Sequence, residues 1–171
     1  MGGNICRRNV FAGKKSGAGV GKTKRGKGTK IMAAVDSKGI LLGIKLASAT
    51  PHEAKLIEST LDTIRALRLG AGRPRKRFQR LIYDKAADSL KLRVRLLKER
   101  GIDLICPHRS NCKNHVQDGR KLRRYSRRWI IERTNAWLQN YRRIVVRYDR
   151  LLSSYAAFVT IACCMICVKR L

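Results

Sequence analysis

Acidic residues are scarce in this chain of 171 residues. Eleven Asp and Glu stand against 40 Lys and Arg, which gives a formal net charge of +29 and a pI near 11.1. The deficit is sharpest at the start, where Asp36 is the first acid of the sequence. A chain so unbalanced cannot have a charge-neutral surface. It attracts polyanions, with an affinity that depends steeply on salt and little on sequence. Long apolar runs are also lacking. The longest, Tyr155–Val168, falls short of the ~20 residues a membrane-spanning helix needs and reads as a core helix. The N-terminus has Gly and Arg but no apolar run, so no signal peptide is expected. These absences point to a cytoplasmic protein with no membrane partner. At 44% hydrophobic the chain can still bury a core, which excludes a disordered basic tail, and its length suits one domain.

Two motifs invite chemistry that their context does not support. Ser16-Gly-Ala-Gly-Val-Gly-Lys-Thr23 nearly spells a phosphate-binding P-loop, but Ser16 stands where the first Gly belongs. A hydrophobic strand should precede the motif and a helix should follow it; Lys24-Arg-Gly-Lys-Gly28 is full of helix breakers. A basic loop between two strands, with Lys22, Lys24, Arg25 and Lys27 touching a nucleic-acid backbone, fits better. Cys106, His108, Cys112 and His115 are four possible zinc ligands, but Cys-x-His-x3-Cys-x2-His is not a common finger spacing. Cys163, Cys164 and Cys167 lie on the apolar C-terminal segment, where reduced thiols behave as small hydrophobes.

The remaining pattern is α/β. Apolar runs Thr29–Val35 and Ile40–Ser48 flank Asp36-Ser-Lys-Gly39 and predict a β-hairpin with Asp36 in its turn. Ala54, Ile57, Leu61 and Ile64 follow at a helical period, and Pro51 suits the first helical position. Leu69–Arg77 is a Gly/Arg linker. Arg80–Tyr83 predicts a strand ending at Asp84, followed by a helix near Ser89–Arg100 with Asp88 as N-cap and Gly101 as its stop. Asp103–Cys106 is a short strand, and the basic loop Arg109–Lys121 precedes a further helix and the final one. Phe11 falls at the stump of a first strand.

The densest information lies between Arg120 and Arg150, with eleven basic residues and two acids. On a helix, Tyr125, Arg128, Glu132 and Gln139 share one face. A lone carboxylate among arginines suits a metal ligand at a phosphate-binding surface. Glu132 could equally be the i,i+4 partner of Arg128. Asp84, at the end of a buried strand, stands where open α/β sheets place reactive groups, or it is a turn residue. Trp129 and Trp137, if core, should each cost ~3–5 kcal/mol when cut to Ala.

Tyr83-Asp84-Lys-Ala-Ala-Asp-Ser and Tyr125-Ser-Arg-Arg128-Trp-Ile-Ile-Glu132-Arg-Thr resemble the second and third acidic motifs of bacterial insertion-sequence DDE transposases. The third motif of such enzymes runs Tyr, two residues, Arg, three residues, Glu, and this chain keeps that spacing. It departs at Gln139, where Lys or Arg is usual, and at Ala87, where Tyr is usual. The likeness runs from about Phe11 to Leu171, through Gly21–Lys30, Ala34–Gly39 and Pro107-His-Arg. It implies a ribonuclease H-like mixed sheet with flanking helices, and a bacterial protein that binds element ends and target DNA. It also implies two-metal phosphodiester chemistry with Mg²⁺ or Mn²⁺ at Asp84 and Glu132. Arg128 would hold a phosphate or orient Glu132, and Tyr125 would contact the DNA backbone together with Arg123, Arg124, Arg127, Arg142 and Arg143.

The resemblance exposes a gap. Such enzymes carry a first acid on an early strand, and Met1–Val10 has none. The expectation is one N-terminally truncated catalytic domain over residues 1–171, without a DNA-end recognition domain. Its partner would be an upstream transposase half or the full-length enzyme; a homodimer is also open. Three readings follow: a C-terminal transposase fragment or the downstream half of a split transposase, an inactive DNA-binding remnant or inhibitor of the full enzyme, and a basic ribonucleoprotein component.

Overall fold

A computed structural model describes residues 4–14, 16–23, 26–64, 78–110 and 119–170. The linker around 69–77, Lys24, Arg25, Cys112 and His115 lie outside them. The strands are β1 (Asn4–Gly13), β2 (Gly21–Thr23), β3 (Gly26–Val35), β4 (Leu41–Ser48), β5 (Arg80–Ile82), β6 (Asp103–Ile105) and β7 (Val146–Arg147). The helices are α1 (Glu53–Leu61), α2 (Leu90–Arg100), α3 (Gly119–Leu122), α4 (Trp129–Gln139), α5 (Arg142–Val145) and α6 (Leu152–Val168). All described strands join one mixed sheet in the order β2-β3-β1-β5-β6, with β4 on β3 and β7 on β1. The pairs β1/β3 and β3/β4 are antiparallel, whereas β1/β5 and β5/β6 are parallel. This mixed sheet with helices on both faces is compatible with a ribonuclease H-like fold.

The alternation of side chains along β3 explains the two layers. Met32 and Ala34 face one way, into a core with Leu56, Ile57, Leu81, Tyr83, Leu92 and Leu96 under α1 and α2. Ala33 and Val35 face the other way, packing with Ile5, Ile82, Ile105, Ile130 and Ile131 under α4. Ile31 and Phe11 continue that second face beneath Leu138 of α4 and Tyr155, Val159, Ala162 and Ile166 of α6. Eight successive residues of β3 are buried, as expected for a strand covered on both sides.

Local chemistry sets the junctions, and several differ from the sequence expectation. The hairpin turn forms as expected: Asp36 Oδ1 accepts from the backbone N–H of Lys38 and of Ile40, both at 2.9 Å, and Gly39 takes φ +91°. Helix α1 starts later than predicted, because His52 Nδ1 accepts from Ala54 N (3.3 Å) and takes the N-cap place. Pro51 therefore precedes the helix instead of opening it, and its carbonyl accepts from the buried Lys30 ammonium. Ser89, not Asp88, caps α2 through Leu92 N at 3.4 Å, and Gly101 ends that helix at φ +65°. Phe11 lies well inside a ten-residue strand rather than at a stump, and β1 pairs with three neighbours. Lys22 and Thr23 sit in strand β2, paired to β3, which is not the helix start a P-loop requires.

Helix α6 buries one stripe, Tyr155, Val159, Ala162 and Ile166, while Ile161, Met165 and Val168 stay exposed. No described helix is long and apolar enough to cross a membrane.

Candidate active site

Strand β5 ends at Ile82, and the next two side chains go to opposite faces. Tyr83 is fully buried in the α1/α2 core and donates its hydroxyl hydrogen to Glu53 Oε2 (2.9 Å). That anchor leaves Asp84 on the α4 side. Asp84 caps a 3-10 turn, Lys85–Ala87, with its Oδ1 accepting from Lys85 N at 2.7 Å. Its carboxylate stays about one third exposed.

The second half of the site comes from the segment before and within α4. Arg123–Arg128 forms a 3-10 stretch and the α-helix begins only at Trp129. The expected single helical stripe is thus broken into two pieces. Like-charged pairs at i,i+4 (Arg123/Arg127 and Arg124/Arg128) disfavour a regular α-helix there. The three residues of the motif still meet. Arg128 Nη2 lies 2.9 Å from Glu132 Oε1, and its Nη1 lies 3.4 Å from Asp84 Oδ1. Nη1 also donates to the Tyr125 hydroxyl, which in turn donates to Asp84 Oδ1 at 3.4 Å. One guanidinium thus lies between the two acids that the sequence singled out.

The electrostatics follow from this geometry. Burial raises the Tyr125 hydroxyl above its ordinary value; the neighbouring Asp84 charge adds to this and Arg128 opposes it. Tyr125 therefore stays a neutral hydrogen-bond donor. Burial works against the Arg128 charge, but Tyr125, Glu132 and Asp84 outweigh it and hold the guanidinium more firmly protonated than usual. A positive centre held against two carboxylates is electrostatically the place for a cation. Asp84 and Glu132 offer hard oxygen donors of the kind Mg²⁺ and Mn²⁺ take, so their chemistry fits a divalent ion. Among the described residues, no group of three or more His, Cys, Asp and Glu gathers as a metal site. Asp36 does not join the pair, since its carboxylate is used in the β3–β4 turn.

The other basic residues named from the sequence lie on several separate elements. Arg123, Arg124 and Arg127 are exposed on the stretch before α4, with Arg142 exposed on α5. Arg143 lies over the Phe158 ring (4.6 Å) and pairs with Asp149 at 3.3 Å. Lys22 and Lys27 are register partners across the β2–β3 hairpin. Cys106 is buried and accepts from Arg93 at 3.0 Å through its sulfur; burial pushes its thiol up to about 11. His108 Nδ1 lies 3.2 Å from Asp88 Oδ1. Both described members of the zinc candidate are therefore engaged elsewhere.

Two features escape a reading of the sequence. Trp129 is 53% exposed instead of core, and Arg133 lies between the Trp129 and Trp137 rings at 4.7 and 4.9 Å. Asp88 is not a helix cap but the centre of a polar cluster with Arg93, His108 and Arg109. The helical spacing of 129, 133 and 137 is a usable signal for the first; nothing local signals the second.

The site thus sets an acid just beyond β5 beside a second acid on α4, in a stretch rich in arginine. The family model for the transposase DDE domain matches residues 5–167, and the chain belongs to that family. A Burkholderia cepacia protein named as a candidate transposase for insertion sequence element IS402 is 31% identical over 140 residues. The match covers 82% of this chain and 63% of the relative, so the chain spans under two thirds of that protein's length. Transposases of this family generally use divalent metal ions.

Proposed function

We propose that this chain carries two of the acids of an insertion-sequence transposase, Asp84 and Glu132, which together hold a divalent cation against DNA phosphate. The observation that carries the reading is the convergence of both carboxylates on the single Arg128 guanidinium, although one follows β5 and the other lies on α4. A bound Mg²⁺ or Mn²⁺ supplies the positive charge that polarises a phosphodiester and favours an oxygen nucleophile. The chain's own residues do the rest. Asp84 and Glu132 present oxygens to the cation. Arg128 bridges the two carboxylates and would face a phosphate oxygen once a cation takes its place between them. Tyr125, held neutral, donates to Asp84 or to the DNA backbone. Arg123, Arg124 and Arg127 fix the register of the duplex through phosphate contacts that carry no sequence information.

A second reading has its own support. Strand β1 runs Asn-Ile-Cys-Arg-Arg-Asn-Val-Phe-Ala-Gly and contains no acid. Ile5 pairs in register with Ile82, so continuing the parallel pairing by two residues sets position 7 level with Asp84, and Arg7 stands there. A third carboxylate from β1 is therefore lacking, which favours a DNA-binding protein without strand-transfer activity of its own unless another segment or chain supplies the acid.

The test is reconstitution. The 171-residue chain with Mg²⁺ or Mn²⁺ should leave duplex DNA from the flanks of its gene uncut. Supplying an upstream transposase portion that carries an Asp-bearing strand should restore cleavage, and Asp84→Asn should abolish it. Cleavage by the isolated chain would show that another residue completes the site. Restored cleavage that survives Asp84→Asn would remove Asp84 from it.

A further inference from the structure

Asp84 projects from a short turn with little secondary structure of its own to hold it. Lys85–Ala87 form a single 3-10 turn before Ser89 starts α2. A site that must place carboxylate oxygens to a fraction of an ångström needs more support than one turn gives.

That support comes from the loop leaving β6. Asp88, whose side chain is only 7% exposed, closes the turn and receives three partners from elsewhere. Its Oδ1 accepts from Arg93 Nη2 at 3.1 Å and lies 3.2 Å from His108 Nδ1. Its Oδ2 accepts from the Arg109 backbone N–H at 2.8 Å. The Arg109 side chain then reaches back over the turn itself: Nε donates to Lys85 O at 3.3 Å and Nη2 to Ala86 O at 2.9 Å. Arg93 ties the same loop down from the other side, donating to Leu104 O at 2.9 Å and Cys106 O at 2.8 Å. Every backbone carbonyl from Asp84 to Ala86 is thus held, since Asp84 O accepts from Ala87 N at 2.9 Å. Burying the Asp88 charge opposes ionisation, yet these donors outweigh it and hold the carboxyl below the usual carboxylate range. A helix cap would need one such bond, not a clamp of this size.

We propose that Asp88 is a positioning residue for Asp84, acting with Arg93, His108 and Arg109 to lock the 85–88 turn onto the loop after β6. The clamp fixes the direction in which the Asp84 carboxylate faces Arg128 and Glu132. It rests on the metal-binding reading of Asp84 given above.

The test is Mn²⁺ binding to the full chain, followed by electron paramagnetic resonance, with unfolding in urea measured on the same samples. Asp88→Asn places an amide N–H₂ among donors, so the clamp loosens. Removing a group that orients a metal ligand typically weakens affinity ~10–100-fold, and about tenfold is expected here. Arg109→Ala leaves the backbone N–H to Asp88 in place and removes only the two bonds to Lys85 and Ala86. A severalfold loss is expected at this exposed residue, so Arg109→Ala decides the matter if Asp88→Asn fails to fold. Ser89→Ala serves as the control: it removes the α2 cap and should lower the urea midpoint without changing Mn²⁺ affinity. If Asp84→Asn weakens Mn²⁺ binding while Arg109→Ala and folded Asp88→Asn bind as wild type, the clamp is overturned and the site stands. If Asp84→Asn itself binds Mn²⁺ as wild type does, the site is overturned and the clamp with it. Equal loss in Ser89→Ala would reduce Asp88 to a general structural role and overturn its positioning role.

Discussion

Arg128 shows how much one side chain can carry. It pairs with two acids, donates to a tyrosine hydroxyl and lies over that tyrosine's ring at 5.2 Å. Each contact is partly exposed and worth little alone, on the order of 0–1 kcal/mol for an exposed ion pair. Their joint effect is geometric: the carboxylates cannot drift apart while the guanidinium sits between them. The neighbouring residues divide sharply between packing and surface. Ile131→Ala should cost ~2–5 kcal/mol, because Ile131 is fully buried between the sheet and α4. Trp129→Ala should cost about 1 kcal/mol or less, since chiefly its stacking with Arg133 is lost. Urea unfolding of both variants checks this ordering, and a larger loss in Trp129→Ala would contradict the exposed placement of that ring. Asp88 gives a pH prediction at the same scale. Its folded-state pKa lies below the ordinary 3.8, so its contribution to stability is fully present above that value. The contribution is lost as pH falls through the lower folded value. Stability of wild type relative to Asp88→Asn should therefore shrink as pH falls below about 4. A wild-type advantage that persists unchanged into strong acid would contradict it.

At the scale of elements, the final helix offers a clean probe. The Tyr155 hydroxyl is fully buried and donates to the Ile144 carbonyl at 2.8 Å, joining α6 to α5. Burial pushes that hydroxyl above its ordinary range. Tyr155→Phe leaves the carbonyl without this partner and should destabilise the chain by ~1–3 kcal/mol, read from chemical denaturation with metal binding unaffected. Elements set by local chemistry are legible in the sequence. Asp36-Ser-Lys-Gly39 supplies both the acceptor and the positive-φ residue its turn needs, so nothing remote has to be known. Motif spacing singles out Asp84 and Glu132, and the fold is what brings both to Arg128. The role of Asp88 is not. It sits where a helix cap belongs, while its partners Arg93, His108 and Arg109 are brought to it by tertiary contacts. The start of α4 is hidden because helical periodicity continues through Tyr125 while the arginine-rich run adopts tighter 3-10 turns. Trp129 looks like core because its neighbours Ile130 and Ile131 are apolar. A helix turns about 100° per residue, which carries the ring out of the core they enter.

At the scale of the whole molecule, a net charge of +29 dominates. Duplex DNA should bind with little sequence preference, and log affinity should fall linearly with log salt at a slope of about −0.9 per phosphate neutralised. A titration that is flat between low and moderate salt would contradict binding through the basic surface. Within that field two of the few carboxylates converge on Arg128. Asp84 and Glu132 are proposed to form one cation site and not two independent surface acids. The most direct measurement is a Mn²⁺-binding double-mutant cycle on wild type, Asp84→Asn, Glu132→Gln and the double variant. Expected is a large loss in either single variant and little further loss in the double, the signature of two ligands on one ion. Wild-type affinity in both single variants, or two small losses that simply add, would show that the carboxylates do no more than pair with Arg128.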